Sequence, residues 1–108
     1  MPREPDPAYW NLFVAILETF RRAGVRLVVN EFEEAPYAYR PAELRAGWRA
    51  FMRERVAPEV EKRGFAYVRV DFDPIGSEDY FDFNHLNSEG VAKFSPAFAA
   101  ALRPHLGR

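Results

Sequence analysis

Cysteine is absent from this 108-residue chain. Its absence excludes disulfides, thiol nucleophiles and thiolate metal ligands. Long apolar runs are also missing, since no stretch approaches the ~20 residues that cross a bilayer. The first residues, M-P-R-E-P-D-P, lack the basic-then-apolar layout of a signal peptide. As written, the sequence predicts a cytoplasmic protein with no membrane span, while its true compartment stays open.

A strong charge of either sign is lacking too. The net charge is −1, so there is no electrostatic reason to expect nucleic acid or an anionic membrane as a partner. Apolar residues, in contrast, are plentiful: 48% of the chain is hydrophobic and 16% is aromatic. That supply suffices for one core, and residues 1–108 are predicted to form a single small α/β domain.

The hydrophobic pattern predicts the element order α-β-α-β-α. Asp6-Pro7 is a helix start, and apolar residues then recur at helical spacing as far as Gly24. Continuous apolar runs predict two buried strands, and proline is expected to kink or interrupt the second helix and to break the third. The predicted ranges are helix 7–23, strand Val25–Phe32, a helix from Pro41 to Arg63 kinked or interrupted at Pro58, strand Phe65–Phe72, and a helix capped by Asn87 and split at Ser95-Pro96.

Two strands joined by a long helical crossover predict a right-handed parallel unit. Two strands alone make a poor sheet, and both edges stay open. Either a partner copy adds strands, or the chain is the second half of a larger doubly wound domain. The sequence leaves both possibilities open.

The segment D-F-N-H-L-N-S-E-G, from Asp82 to Gly90, carries the main site prediction. An aspartate three residues before a histidine can accept a hydrogen bond from one imidazole nitrogen and leave the other as a base. Because the loop follows the second strand, it lies at the carboxyl end of the sheet, where such folds bind ligands. The alternative is that His85 only braces the loop.

This D-x-x-H-L-N-x-x-G block, followed by a helix, resembles the C-terminal block of SGNH/GDSL-type hydrolases. It is most similar to the branch of polysaccharide O-acetylation and D-alanyl-transfer proteins. The segment G-V-R-L-V-V-N-E-F is similar to the second half of that flavodoxin-like fold. The resemblance implies that Asp82 orients His85, that His85 is the catalytic base, and that the reaction is ester hydrolysis or acyl transfer on an acylated carbohydrate, without a cofactor.

The nucleophile that this family carries in a G-D-S block is missing from the chain, as is its oxyanion asparagine. Among the available hydroxyls, Ser77 in the loop is the one to test. We therefore expect the Ser-bearing N-terminal half to be absent or supplied by another chain. The 108 residues alone are expected to show weak or no esterase activity.

Three further polar residues are predicted to bind substrate: Asn30, Glu31 and Asn87. Asn30 and Glu31 end the first strand, at the same edge as the candidate site, although ordinary strand-end polarity explains them as well. A set of acids, Asp71, Asp73, Glu78, Asp79 and Asp82, has the oxygen donors that a hard cation prefers. A solvated acidic loop is the favoured interpretation, and no metal site is predicted.

A second function class competes with the enzyme. The same elements suit a non-catalytic interaction module that keeps the Asp-His loop as structure and forms a homodimer through its open sheet edge.

Overall fold

The structure, a computed structural model, describes residues 5–106. The chain forms a small α/β fold with a parallel two-strand sheet, and the predicted α-β-α-β-α order is confirmed. No helix within residues 5–106 has the length and apolar character needed to cross a membrane. The elements are α1 (Pro7–Arg22), β1 (Val28–Glu31), α2 (Glu43–Phe51), α3 (Ala57–Glu61), β2 (Ala66–Arg69) and α4 (Ser88–Leu102).

Helix α1 begins at the predicted residue, Pro7, and ends at Arg22, one residue before the predicted Ala23. The Asp6 carboxylate accepts the Ala8 N–H at 2.8 Å, and Pro7 occupies the first turn, where its missing N–H costs nothing. At the other end, Gly24 adopts a φ of 71°, a left-handed conformation that favours glycine.

The second helical segment changes helix type just before Pro58 and then continues. A π-helical turn, Met52–Val56, joins α2 to α3, and Pro58 lies in the first turn of α3. The Ala57 N–H donates to the Met52 carbonyl, five residues back, and the next residue, Pro58, has no N–H to donate. The predicted interruption is therefore a change of helix type.

Helix α4 corrects a second prediction, because it runs unbroken through Pro96. Phe94 and Phe98 lie on either side of the proline, and both pack against the same hydrophobic cluster. Their packing against this cluster favours a continuous helix, although an interior proline costs about 3 kcal/mol. Ser95 is thus an interior residue of the helix and not a cap.

Both strands are shorter than predicted. Val70 and Phe72 follow β2 and are 5% and 1% exposed, yet they lie outside the strand. A run of apolar residues indicates that a segment is buried, but a buried segment does not have to form the hydrogen bonds of a β-sheet. The predicted ranges of eight residues therefore contain strands of four residues each.

The described chain divides into two compact units. The first comprises Gly47–Tyr67 and the described part of Met1–Val29. Its core is built on Leu17, which packs with three side chains of the second helical segment, and large aromatic residues surround this cluster. Those three side chains are Met52, Val56 and Val60.

The second unit comprises Asn30–Ala46 and the described part of Val68–Arg108. Its buried cluster contains Val70, Phe72, Ile75 and Tyr80 together with Ala35. The rings of Phe32, Phe72, Phe94 and Phe98 extend this core as a chain of neighbouring aromatic contacts, with centroids 5.3 to 6.0 Å apart. The candidate site is built on this unit.

Candidate functional site

The loop between Tyr80 and Leu86 is closed at its base. These two residues form an antiparallel bridge, and the Phe81 N–H donates to the His85 carbonyl at 2.6 Å. One step further out, the Asn87 N–H donates to the Asp79 carbonyl at 2.9 Å. The backbone around Asp82 is therefore a tight, internally bonded turn.

The preceding segment of the same unit also braces this loop. The Ala35 N–H donates to the Phe83 carbonyl at 2.7 Å, and the Tyr80 hydroxyl donates to the Glu33 carbonyl at 2.7 Å. Burial raises the pKa of the Tyr80 hydroxyl, so it stays protonated and remains a donor at neutral pH.

Asp82 and His85 form the predicted hydrogen bond. The imidazole Nδ1 lies 2.9 Å from Asp82 Oδ1 and 3.0 Å from Oδ2. The same carboxylate accepts two backbone N–H groups, from Asn84 at 3.0 Å and from His85 at 2.9 Å. The three-residue spacing thus does two things: it closes the turn, and it brings the carboxylate to the imidazole.

This geometry fixes the protonation pattern. The backbone N–H of Asn84 and then the His85 imidazole hold the pKa of the Asp82 carboxyl below its ordinary value, so the group is ionised at neutral pH. An ionised carboxylate only accepts hydrogen bonds, so Nδ1 carries the hydrogen when the ring is neutral. The Nε2 lone pair is then left to take a proton.

The histidine is accessible. Its side chain is 70% exposed and that of Asp82 is 43% exposed. Within residues 5–106, no group donates a hydrogen bond to His85 Nε2. The arrangement can therefore take a proton from a group that approaches from solvent.

Asn87 is fully engaged by the backbone. Its Oδ1 accepts the Gly90 N–H at 3.0 Å, which caps α4 as predicted, and its Nδ2 donates to the Glu78 carbonyl at 2.8 Å. The side chain thus ties the 3-10 turn at Ser77–Asp79 to the helix. A role in binding substrate stays a prediction.

Asn30 and Glu31 lie at the end of β1, in the same unit as the Asp-His pair. Glu31 is 1% exposed, and Asn30 Oδ1 is buried without a hydrogen-bond partner among residues 5–106. Neither residue is hydrogen-bonded to Asp82 or His85. Their role in binding substrate stays a prediction.

Ser77 begins the 3-10 turn Ser77–Asp79, and its Oγ accepts the Tyr37 N–H at 3.3 Å. Within the described residues, no serine or threonine hydroxyl is hydrogen-bonded to His85. The structure therefore brings together the acid and the base, and it does not join a hydroxyl of this chain to them.

The acidic loop is not uniformly solvated, which corrects the favoured interpretation. Asp79 is 2% exposed, and its Oδ2 accepts Lys93 Nζ at 2.7 Å and the Gly76 N–H at 2.9 Å. Lys93 and then Gly76 lower the pKa of the Asp79 carboxyl. In contrast, Asp71 and Glu78 are exposed. In the part of the chain that the structure describes, no three histidine or acidic side chains are grouped as metal ligands.

Sequence reasoning missed this ion pair, in which Asp79 is buried and the Lys93 side chain is 45% exposed. The signal that could have found it is Lys93 itself, one of two lysines in the chain, placed in the apolar stretch V-A-K-F of α4.

Comparison with known proteins adds no relative: no protein-family model, no curated protein and no solved structure matches the chain.

Proposed function

We propose that the chain carries the acid-base half of a serine esterase or acyltransferase site, with His85 as the general base and Asp82 as the carboxylate that orients it. The nucleophilic serine is supplied from outside these 108 residues. The substrate is an ester, and an acylated carbohydrate is the class that the resemblance to SGNH/GDSL-type hydrolases implies.

One observation carries the proposal. His85 Nδ1 faces both oxygens of Asp82, while the side chain that bears Nε2 is 70% exposed. In acyl transfer the base takes the serine proton as Oγ attacks the carbonyl carbon, and it returns that proton to the departing alcohol. The carboxylate stabilises the imidazolium that exists between these two steps.

The proposal includes a flavodoxin-like fold, in which a Ser-bearing segment completes the sheet. A flavodoxin-like sheet places its site beyond the carboxyl ends of its strands, and the loop with Asp82 and His85 follows β2. A Ser-bearing segment that adds strands to the parallel pair would bring its nucleophile to that edge. Asn30 and Glu31, at the end of β1, would then face the substrate.

The test is ester hydrolysis with a Ser-bearing segment present, either as the protein extended upstream in its gene or as a chain that co-purifies. A short-chain aryl ester should be turned over. His85→Ala should abolish turnover, and Asp82→Asn should reduce it about 10²–10⁴-fold because an amide no longer selects the required tautomer. His105→Ala, at the other histidine of the chain, is the matched control and should leave turnover unchanged.

Two results would contradict the proposal. One is full activity of His85→Ala in the complete protein. The other is robust hydrolysis by the 108-residue chain alone that is lost on Ser77→Ala, since that would place the nucleophile inside the chain.

A second candidate function rests on the sheet. Within the described residues, β1 and β2 pair only with each other, so each keeps one edge without a strand neighbour. Such edges are templates for strand addition, which favours a homodimer that uses the sheet edge and keeps the Asp-His loop as structure. Sedimentation should then give twice the chain mass of 12.5 kDa at micromolar concentration. A monomer with a cooperative melt would rule this candidate out.

A further inference from the structure

We propose that Lys93 is a positioning residue: its ion pair with Asp79 fixes the base of the loop on which Asp82 and His85 face each other. This inference rests on the proposed role of His85 as a base, and it adds a residue that lies outside the D-x-x-H block.

Asp79 is bonded through its N–H, its carbonyl and its carboxylate. Its N–H donates to the Gly76 carbonyl at 3.0 Å, and its carboxylate accepts the Gly76 N–H in return. Its carbonyl accepts the Asn87 N–H. With only 2% of the residue exposed, the carboxylate depends on Lys93 for its counter-charge.

Lys93 reaches this group from α4. Its Nζ lies 2.7 Å from Asp79 Oδ2 and 3.2 Å from the Pro74 carbonyl. One side chain of the helix therefore holds two points of the segment that leads into the site loop. Charge-assisted hydrogen bonds of this length are among the stronger polar contacts in proteins.

The backbone of α4 also approaches Asp79 closely. A Cβ added at Gly90 would lie 2.2 Å from the Asp79 carbonyl oxygen, so only glycine leaves room for this contact. The same oxygen accepts the Asn87 N–H. A shift of Asp79 would therefore move both ends of the loop, because Tyr80 and Leu86 continue from these two residues.

The consequence concerns the imidazole. Asp82 and His85 are held in register by the loop backbone, whose Asn84 and His85 N–H groups donate to the Asp82 carboxylate. The Asp82 and His85 side chains are 43% and 70% exposed, so packing contributes little to the distance between them. If the base of the loop loosens, the Nδ1 hydrogen bond weakens, and the neutral ring drifts towards the Nε2–H tautomer of a free histidine. That tautomer has no lone pair on Nε2 to act as a base.

The experiment is long-range ¹⁵N NMR of His85 in the 108-residue chain, at a pH where imidazole is neutral, together with a thermal melt. Lys93→Met keeps the length of the side chain and removes its charge. We expect the ratio of Nδ1–H to Nε2–H tautomer to fall about fivefold or more relative to the unsubstituted chain. Lys93→Arg retains charge and donors and should keep the ratio.

Lys62→Met is the matched control, since Lys62 is the other lysine and pairs with Glu59 at the surface of the first unit. It should leave the His85 tautomer unchanged. If Lys93→Met does not fold, Lys93→Gln, which keeps a neutral donor, should show a smaller fall in the same ratio.

A purely structural Lys93 would lower the melting temperature and leave the tautomer ratio of the folded variant unchanged, and that result would overturn the inference. The readout needs no substrate. Absence of ester hydrolysis in the complete protein would therefore refute the proposed function alone, whereas an unchanged tautomer in a folded Lys93 variant would refute only the positioning role.

Discussion

Gly90→Ala is expected to destabilise the chain, which is the opposite of the usual effect of this substitution within a helix. In most helices alanine is about 0.5–1 kcal/mol better than glycine. Here the new methyl group would lie 2.2 Å from the Asp79 carbonyl oxygen and 2.9 Å from Leu86 Cδ2. The first neighbour is backbone, held by the Asn87 N–H, so it does not yield as a flexible side chain would.

The magnitude follows from these opposing contributions. Overpacking of this kind costs about 1–3 kcal/mol, and the better helix propensity of alanine offsets part of it. A net loss of about 1–2 kcal/mol lowers the melting temperature of a chain of this size by roughly 4–16 °C. The assay is a thermal melt by circular dichroism, with urea unfolding as a second measure of the free energy.

Gly47→Ala is the matched control, because Gly47 lies within α2 and, apart from its chain neighbours and the backbone of its own helix, no atom of the described residues lies within 4 Å of its would-be Cβ. It should stabilise the chain by about 0.5–1 kcal/mol. The two substitutions are therefore expected to change the free energy of unfolding in opposite directions. Gly90→Ala as stable as Gly47→Ala would refute the close approach of α4 to Asp79.

Two further substitutions have defined outcomes. Asn87→Ala should cost about 1–2 kcal/mol in urea unfolding because it removes the cap of α4, whereas Asn87→Asp keeps the cap oxygen and should cost less; equal losses would contradict the capping role. Hydrogen bonds from Arg21 and then Arg63 lower the pKa of Glu18 from 4.5 to about 2. The stability from this carboxylate is present above pH 4.5 and is lost as the pH falls towards 2. Across that window the melting temperature should therefore fall less steeply with decreasing pH for Glu18→Gln than for Glu61→Gln. Equal slopes of melting temperature against pH would contradict the lowered pKa of Glu18.

The parts of the structure that the sequence predicts well are set by near neighbours. The cap of α1 by Asp6, the cap of α4 by Asn87, and the hydrogen bond from His85 to Asp82 each join residues two or three positions apart. Backbone geometry allows few alternatives at such short range, so the residue types and their spacing suffice.

The predictions that were wrong depend on contacts between distant residues. Pro96 alone favours a break, but the partly buried Phe94 and Phe98 on either side of it in the sequence pack against the core, and the helix continues. The Asp79–Lys93 pair joins residues 14 positions apart, and a pattern of acids in a loop does not show which one is buried.

The lengths of the two strands also depend on tertiary contacts that the sequence pattern does not show. Val70 and Phe72 extend the apolar run beyond β2 because they fill the core of the second unit, not because they pair with β1. Hydrophobic periodicity records burial, and hydrogen-bond partners are decided by tertiary structure.

The most direct measurement of the central claim is the tautomer of His85 in the unmodified chain. Long-range ¹⁵N NMR of the neutral ring should show the hydrogen on Nδ1 and an unprotonated Nε2, because the ionised Asp82 only accepts. Asp82→Asn should abolish this preference. A His85 ring that carries its hydrogen on Nε2 in the unmodified chain would contradict its proposed role as an oriented base.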